Sequence, residues 1–287
     1  MTGGYFPNHP REQYAAIPAA NFSTLKHMSR SPAHAQAAMH EPSEQTPAMA
    51  FGEAVHAAVL EPLRFQSQWI CTPDFPDGRT KAGKDARAAW AEQNAGKKTI
   101  SAETAISIGR MRDALVNHPL AAELVNREGD CEAAAVWTDS QTGTLVKCLF
   151  DKRWERDDGT QVVIDLKTCA DASERGFASA VAKYRYDLQA AIYTDGAAHI
   201  FGTNKVEFMF IAVEKTPPFG VGIYELTGDD LMKAWDEYQK HLATFARCKA
   251  TGIWPGYEPK LTKLVLPAWL YASGEGEQIT LDGELVR

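Results

Sequence analysis

Hydrophobic residues recur at helical spacing in the first third of the chain. Ser31 followed by Pro32 predicts a helix over residues 33–39, because a hydroxyl side chain caps a helix and proline fits its first position. A second helix is predicted from Pro47 to about Leu60, where a Glu-Pro pair ends it. This part of the chain is therefore expected to be helical.

The second of these helices carries a histidine beside its buried face. Its apolar stripe is formed by Phe51, Val55 and Val59. Gly52 and His56 lie on the adjacent stripe at four-residue spacing, so the histidine follows a turn that has no side chain. We expect His56 at the edge of the buried face of this helix.

The centre of the chain alternates between apolar and polar residues and predicts β-strands. The predicted strands, separated by turns rich in Gly, Pro and Asp, cover residues 131–138, 144–152, 161–167, 206–214 and 221–226. Helical periodicity predicts helices over residues 173–184, 187–199 and 229–249. This mixed order predicts an α/β fold, or an α+β fold, with a central mixed sheet flanked by helices.

The composition is that of an ordinary globular protein. The 287 residues are 45% hydrophobic and 23% charged, which is enough to bury a large core without disulfides. The five cysteines are scattered and form no C-x-x-C pair, which favours reduced thiols and argues against a thiolate-bound metal cluster. With no signal-peptide pattern and no apolar run long enough for a membrane span, we expect a soluble cytoplasmic protein.

Positive charge is concentrated in one stretch of an acidic chain. The net charge is −7, which alone argues against a polyanionic partner. Residues 78–98 differ, because they hold six cations against two carboxylates. The six are Arg79, Lys81, Lys84, Arg87, Lys97 and Lys98. They are candidate contacts with DNA phosphates, and the alternative is a solvated mobile loop.

The sharpest candidate for chemistry is the tripeptide Asp165-Leu166-Lys167. Alternation puts Asp165 and Lys167 on one face of their strand, and the preceding strand ends near Asp151. A three-residue turn centred on Asp158 would place Asp151 on the same face as Asp165, whereas a two-residue turn would not. The sequence leaves both registers open.

Two carboxylates with a neighbouring lysine suit the hydrolysis of a phosphodiester. Hard oxygen ligands prefer Mg2+ or Mn2+, which bind phosphate oxygens directly and lower the pKa of a bound water. Lys167 would orient or deprotonate that water, or neutralise developing charge. The alternative is a surface hairpin whose Asp–Lys pair is a solvated salt bridge.

Four short blocks occur in order along the chain. They are Phe51-Gly-Glu-Ala-Val-His56, Lys147-Cys-Leu-Phe-Asp151, Val163-Ile-Asp-Leu-Lys-Thr168 and Tyr186-Asp-Leu-Gln-Ala-Ala-Ile-Tyr193. In this order they resemble the PD-(D/E)XK nucleases, specifically the RecE/exonuclease VIII-like and RecB-like branch. Segments 254–257 and 266–269 also look like the C-terminal region of RecE-type proteins. The resemblance implies a restriction-endonuclease-like core.

The resemblance implies a role for each matching residue. Lys167 would be the catalytic lysine, and Gln189 and Tyr193 would support the site or contact the DNA backbone. The implied metal ligands are His56, Glu132, Asp151, Asp165 and the carbonyl group of Leu166. The implied cofactor is Mg2+, for which Mn2+ would substitute.

A function follows from the same resemblance. It implies a Mg2+-dependent exodeoxyribonuclease that degrades linear double-stranded DNA from its ends, 5′ to 3′, and leaves single-stranded tails for phage-type recombination. The implied partners are double-stranded DNA ends, a RecT-like single-strand annealing protein and further copies of the chain in a ring, with no membrane. The alternatives are a RecB-like or Cas4-like nuclease with another end preference, and a DNA-binding module that has lost catalysis.

The chain is expected to have three segments. Residues 1–45 form an N-terminal helical segment. Residues 46–250 form the nuclease domain with its basic insertion at 78–98, and residues 251–287 form a C-terminal extension with an acidic tail.

Overall fold

The β-rich centre of the chain forms a mixed six-stranded sheet in the computed structural model, which describes residues 3–40, 45–266, 280–281 and 284–285. In chain order the strands are β1 (Gly4–Phe6), β2 (Trp69–Cys71), β3 (Lys98–Ile100), β4 (Asp130–Thr138), β5 (Leu145–Glu155), β6 (Gln161–Cys169), β7 (Val206–Glu214), β8 (Val221–Tyr224), β9 (Thr280–Leu281) and β10 (Glu284–Leu285). The six-stranded sheet has the spatial order β1-β4-β5-β6-β7-β8. The short strands β2 and β3 pair separately and in parallel.

Helices cover both faces of this sheet. They are α1 (Arg11–Ala16), α2 (Phe22–Leu25), α3 (Pro32–His40), α4 (Pro47–Leu60), α5 (Pro62–Gln68), α6 (Lys81–Gln93), α7 (Ala102–Asn117), α8 (Pro119–Asn126), α9 (Glu174–Tyr184), α10 (Tyr186–Phe201) and α11 (Gly228–Thr251), with a 3-10 turn at Lys26–Ser29. The observed α/β architecture confirms the predicted fold class. The helices predicted at 33–39 and from Pro47 to Leu60 are confirmed as α3 and α4.

The sheet is mixed because one of its connections is a helical crossover. β6 and β7 run in parallel and are joined through α9 and α10, whereas the other neighbouring strands of the sheet pair in antiparallel fashion. A parallel pair needs such a long connection because a tight turn reverses the chain. The crossover places α10 directly against the centre of the sheet, where Gln189 can reach β6.

Each face of the sheet has its own hydrophobic core. One core joins Phe150 of β5 and Val163 of β6 to the helices α10 and α11. The other joins Ile164 of β6 to Val55 of α4 and Met111 of α7.

The basic stretch is a helix, which the sequence analysis did not predict. The α6 helix is capped at its N-terminus by Thr80, whose hydroxyl accepts a hydrogen bond from the backbone N–H of Gly83. Its interior is rich in alanine, the residue with the highest helix propensity. The alternative of a mobile loop is therefore wrong for Lys81–Gln93.

The structure separates into two units, Met1–Gly256 and Tyr257–Arg287. In the second unit, β9 and β10 pair in antiparallel fashion. Most of the predicted acidic tail, and residues 267–269 of the RecE-like segment, lie outside the described residues. Within the described part of the chain, no helix is long and apolar enough to cross a membrane.

Candidate nuclease active site

The β5–β6 hairpin brings Asp151 and Asp165 to the same row of the sheet. Its ladder runs from Glu155 opposite Gln161 to Lys152 opposite Ile164, and the next position in this register joins the two aspartates. Arg156 and Thr160 close the turn with a backbone hydrogen bond, which leaves three residues centred on Asp158. The three-residue turn, one of the two registers left open by the sequence, is therefore the one observed.

The backbone of β4 is bent at Glu132, beside the two aspartates. Glu132 has a φ of 46°, in the left-handed region that residues with a side chain rarely adopt. Cys131 belongs to the core under α4, whereas Ala133 belongs to the core under α10. The strand therefore changes faces at Glu132, and this buried side chain points into the site instead of alternating regularly.

Three side chains form a group that could hold a metal ion. One ligand atom from each of His56, Glu132 and Asp151 lies within 4.8 Å of the other two. His56 comes from α4, and its Nδ1 lies 3.4 Å from Asp151 Oδ2. This buried Nδ1 has no hydrogen-bond partner of good geometry in the described structure, which suits an atom that awaits a ligand. The structure thus assembles His56, Glu132 and Asp151 from three separate elements.

Asp165, Lys167 and Gln189 form the second half of the site. Lys167 Nζ lies 2.5 Å from Asp165 Oδ2, and Gln189 donates from Nε2 to Asp165 Oδ1 over 2.7 Å. Asp165 is completely buried and is not part of the metal-competent group around His56. Asp165 Oδ2 makes no hydrogen bond of good geometry among the described residues, although it faces the ammonium group.

Leu166 and Tyr193 take supporting positions. The Leu166 N–H donates to Asp151 Oδ2 over 2.9 Å and so ties the two halves of the site together, while the ligand role of its carbonyl group stays a prediction. Tyr193 lies one helical turn after Gln189, and its ring packs edge-on against Phe150 and Phe208. Tyr193 therefore packs in the core beside the site, and a contact with DNA stays a prediction.

An arginine that the sequence analysis missed closes the metal side of the site. Arg11 of α1 donates from Nε and Nη2 to the two carboxylate oxygens of Glu132, over 2.9 and 2.8 Å. The segment that carries it is anchored by buried Lys147, which donates to the backbone carbonyls of Tyr14 and Ile17. Because Arg11 precedes Glu132 by 121 residues and belongs to no motif, only the folded chain reveals this pair.

The two aspartates have opposite pKa shifts although both are buried. Burial opposes the ionisation of Asp151, but the nearby charge of His56 outweighs it, with help from Lys167, and lowers the pKa of Asp151 to about 2. Burial raises the pKa of Asp165 to about 6, because attraction to Lys167 only partly offsets desolvation and the negative charge of Asp151 adds to it.

The two cationic partners respond in the complementary direction. Burial would lower the pKa of His56 and that of Lys167, but the carboxylates raise both: Asp151 acts on His56, and Asp165 acts with Asp151 on Lys167. The site therefore contains two ion pairs, His56 with Asp151 and Lys167 with Asp165.

The six predicted DNA contacts are all exposed. Lys81, Lys84 and Arg87 lie on α6 and Lys98 begins β3, whereas Arg79 precedes α6 and Lys97 lies between the two elements. Arg87 stacks over the ring of Phe75, with its guanidinium carbon 4.9 Å from the ring centre. Lys98 forms an ion pair with Glu53, which precedes His56 by one turn of α4. Through Lys98, the basic segment is thus linked to the helix that supplies the metal-side histidine.

A comparison with protein families identifies the relationship. A family model described as "PDDEXK-like domain of unknown function (DUF3799)" matches residues 21–261. The chain belongs to this family. DUF3799 is a PDDEXK-like family, so membership confirms the predicted PD-(D/E)XK nuclease superfamily and its restriction-endonuclease-like core.

One solved structure shares the fold of this chain. The "Putative exonuclease" from Eubacterium rectale is similar over 92% of this chain and 96% of that one, with a TM-score of 0.59 and 15% sequence identity. A second structure, SSO0001, covers 76% of this chain and 82% of its own with 14% identity, but its TM-score is 0.28. No curated protein matches the chain.

Proposed function

We propose that the protein is a divalent-metal-dependent exodeoxyribonuclease that degrades linear double-stranded DNA from its ends. The observation that carries this proposal is the juxtaposition of His56, Glu132 and Asp151 with the buried Asp165–Lys167 pair. Membership in a PDDEXK-like family supports cleavage of phosphodiesters, and the exonuclease name of the Eubacterium rectale structure favours attack at ends.

The donor set fits Mg2+ or Mn2+. Carboxylate oxygens suit both ions, and the imidazole of His56 makes Mn2+ an especially good fit. His56, Glu132 and Asp151 would hold the ion, and Asp165 Oδ2 on the adjacent strand, which faces Lys167, would complete its ligands. Such an ion neutralises charge on the phosphate and lowers the pKa of a coordinated water.

Side chains beside the metal position would stabilise the negative charge that develops on the phosphate. Lys167 carries its ammonium at Asp165 Oδ2, so it can stabilise negative charge on a phosphate held at that edge. Gln189 keeps the Asp165 carboxylate in its orientation by donating to the other oxygen. The cations of α6 would contact the duplex backbone independently of its sequence.

The finer role that we propose is the production of single-stranded tails for phage-type recombination. Digestion would run 5′ to 3′, a RecT-like annealing protein would take up the tail, and copies of the chain would form a ring around the duplex. A Cas4-like enzyme with an iron–sulfur cluster is disfavoured because Cys131 belongs to one hydrophobic core, whereas Cys148 and Cys169 belong to the other.

The test digests a linear duplex that carries a label at one 5′ or one 3′ end, beside closed circular DNA of the same sequence. With Mg2+ or Mn2+ the enzyme should release the 5′ label first and leave the circle intact, and EDTA should stop the reaction. Cutting of the closed circle would overturn the exonuclease assignment. Release of label in EDTA would overturn the metal dependence.

A further inference from the structure

Two stacked tyrosine rings lie beside Lys167, in a cleft whose aromatic side chains have no role in the proposed reaction. The cleft, about 530 Å3 in volume, is bounded by the end of β6, the start of α4 and helix α9. Its lining includes Lys167, Lys183, Tyr184, Tyr186 and Lys215. Among the lining residues the acidic side chain is Asp171, whose carboxylate is occupied in accepting a hydrogen bond from the N–H of Ser173.

The backbone between α9 and α10 sets the two rings against each other. Arg185 has φ 60° and ψ 40°, a left-handed conformation that reverses the chain between the two helices. Its guanidinium is held by carboxylate oxygens of Asp187 and Glu237 at 3.0 and 2.7 Å. The rings of Tyr184 and Tyr186 are therefore stacked, with centres 5.5 Å apart and an interplanar angle of 30°.

The inner ring is fixed and the outer ring is available. Tyr186 is partly buried, and its ring contacts those of Phe177 and Phe210 in the core under α10. Tyr184 is 49% exposed, and the ammonium group of Lys183 lies 5.2 Å from its ring centre. A half-exposed aromatic ring on a rigid support, flanked by cations, is the arrangement that binds a flat base together with a phosphate.

The position of this pair relative to the reaction determines what it would bind. Lys167 Nζ lies 4.6 Å from the Tyr186 ring centre, and Tyr184 adds 5.5 Å, so the outer ring is at most about 10 Å from the catalytic ammonium. We propose that Tyr184 stacks on an unpaired nucleobase next to the phosphate that Lys167 faces. An unpaired nucleotide is the better ligand, because both faces of a base inside a duplex are covered by its neighbours and a terminal base pair exposes only one face, which its paired partner holds in place.

This inference rests on the proposed DNA nuclease function and deepens it. An enzyme with such a stacking site would act on a strand end that has left the helix, so frayed or overhanging ends would bind better than fully paired ends. The lysines of the cleft would contribute to affinity for both kinds of end, whereas the tyrosine would contribute only where a base is free to stack.

The experiment measures binding in EDTA, where the proposed chemistry is off. The probes are a fully paired duplex and a duplex with a three-nucleotide overhang, each with a fluorescent 2-aminopurine at its terminal position. Three proteins are compared: the wild type, Tyr184→Phe, which keeps the ring, and Tyr184→Leu, which keeps an apolar side chain without it. Thermal melts of both variants should match the wild type, because Tyr184 is half exposed.

We expect the wild type and Tyr184→Phe to quench the overhanging base. Tyr184→Leu should lose the quenching and about tenfold in affinity for the overhang, with an unchanged affinity for the paired end. Equal quenching and affinity in Tyr184→Leu would overturn the stacking site even if the wild type cuts DNA with metal. If the wild type cuts no DNA but the Phe and Leu variants differ as expected, the nucleotide site stands and the nuclease function fails.

Discussion

The two halves of the candidate site use the same residue type in opposite ways. Asp151 and Asp165 occupy one row of neighbouring strands and are both buried, yet the pKa of the first is lowered to about 2 and that of the second is raised to about 6. Burial therefore does not set the charge of a carboxylate by itself. The charged partners decide the direction. The charge of His56 outweighs burial at Asp151, whereas at Asp165 the attraction to Lys167 is opposed by both burial and the negative charge of Asp151.

This difference suggests a division of labour. Asp151 is ionised at any working pH and is grouped with His56 and Glu132, as a permanent part of a cation site must be. Asp165 has a pKa of about 6 and contacts Lys167 and Gln189. These properties suit a group that both binds a metal ion and exchanges a proton. The following predictions test whether the two halves are separable.

The largest effect is expected from the lysine half. Lys167→Ala and Asp165→Ala should each lower the rate of DNA cleavage by about 10²–10⁴-fold, because each removes a group that handles charge or protons in the transition state. Initial rates on an end-labelled duplex, with circular dichroism to confirm the fold, provide the measurement. A fully active Lys167→Ala enzyme would mean that the site has been misplaced.

The metal half should respond in affinity. His56→Ala is expected to weaken Mn2+ binding by about 10–100-fold, since it removes one of the three grouped donors, and high Mn2+ should partly restore cleavage. The exposed His40, at the end of α3, is a matched control whose alanine variant should bind Mn2+ like the wild type. Equal affinities of the two variants would remove His56 from the metal site.

The aspartates should give opposite pH dependences of stability in EDTA. The pKa of Asp165 is higher in the folded chain than its ordinary value of 3.8, so the free energy of unfolding should fall as pH rises from about 4 to about 6. The size of this loss is about 3 kcal/mol for a shift to about 6. For Asp151 the sign is reversed, and its stabilisation should disappear as pH falls from about 4 to about 2.

Urea unfolding of the wild type and of the Asp165→Asn and Asp151→Asn variants at pH 2.5, pH 4 and pH 7 separates these contributions, because the lower interval samples Asp151 and the upper one samples Asp165. Relative to Asp165→Asn, the wild type should lose stability between pH 4 and pH 7. Asp151→Asn should show a smaller loss over the same range, because Asp165 is still buried but no longer faces the negative charge of Asp151. The same pH dependence in all three proteins would contradict the assigned shifts.

The smallest effect concerns the approach of DNA to the metal half. Gly52, one turn before His56, costs helix stability, and a Cβ at this position would meet no atom within 4 Å. Gly109 of α7 has the same open surroundings and serves as the control. Each Gly→Ala change should stabilise the protein by about 1 kcal/mol. DNA that passes close to the turn of α4 at Gly52 would meet the added methyl group, so only Gly52→Ala should lower cleavage, by a few fold. Equal cleavage rates of the Gly52→Ala and Gly109→Ala variants would contradict this approach of DNA.

Residues close together in the sequence were predictable from it. Alternation placed Asp165 and Lys167 on one face, and the turn chemistry around Asp158 restricted Asp151 to two registers, one of which the structure shows. The helical position of Gln189 was predicted from the periodicity of residues 187–199, and its place beside the site from the resemblance to the nucleases; in the structure it contacts Asp165.

Contacts between distant parts of the chain were not predictable. The bend at Glu132 depends on a left-handed backbone that nothing in the local sequence of β4 requires. Arg11 reaches that residue because the N-terminal segment is anchored on the sheet, by the pairing of β1 with β4 and by Lys147. The α6 helix was not predicted because an exposed helix lacks a strong apolar stripe. Its remaining signal was its alanine content.

The most direct test of the division of labour is a calorimetric titration of Mn2+ into the wild type, Asp151→Asn and Lys167→Met, paired with cleavage of a linear duplex. We predict that Asp151→Asn loses both Mn2+ binding and cleavage, whereas Lys167→Met binds Mn2+ like the wild type and cuts no DNA. Unchanged Mn2+ binding by Asp151→Asn, or cleavage by Lys167→Met at the wild-type rate, would contradict the account.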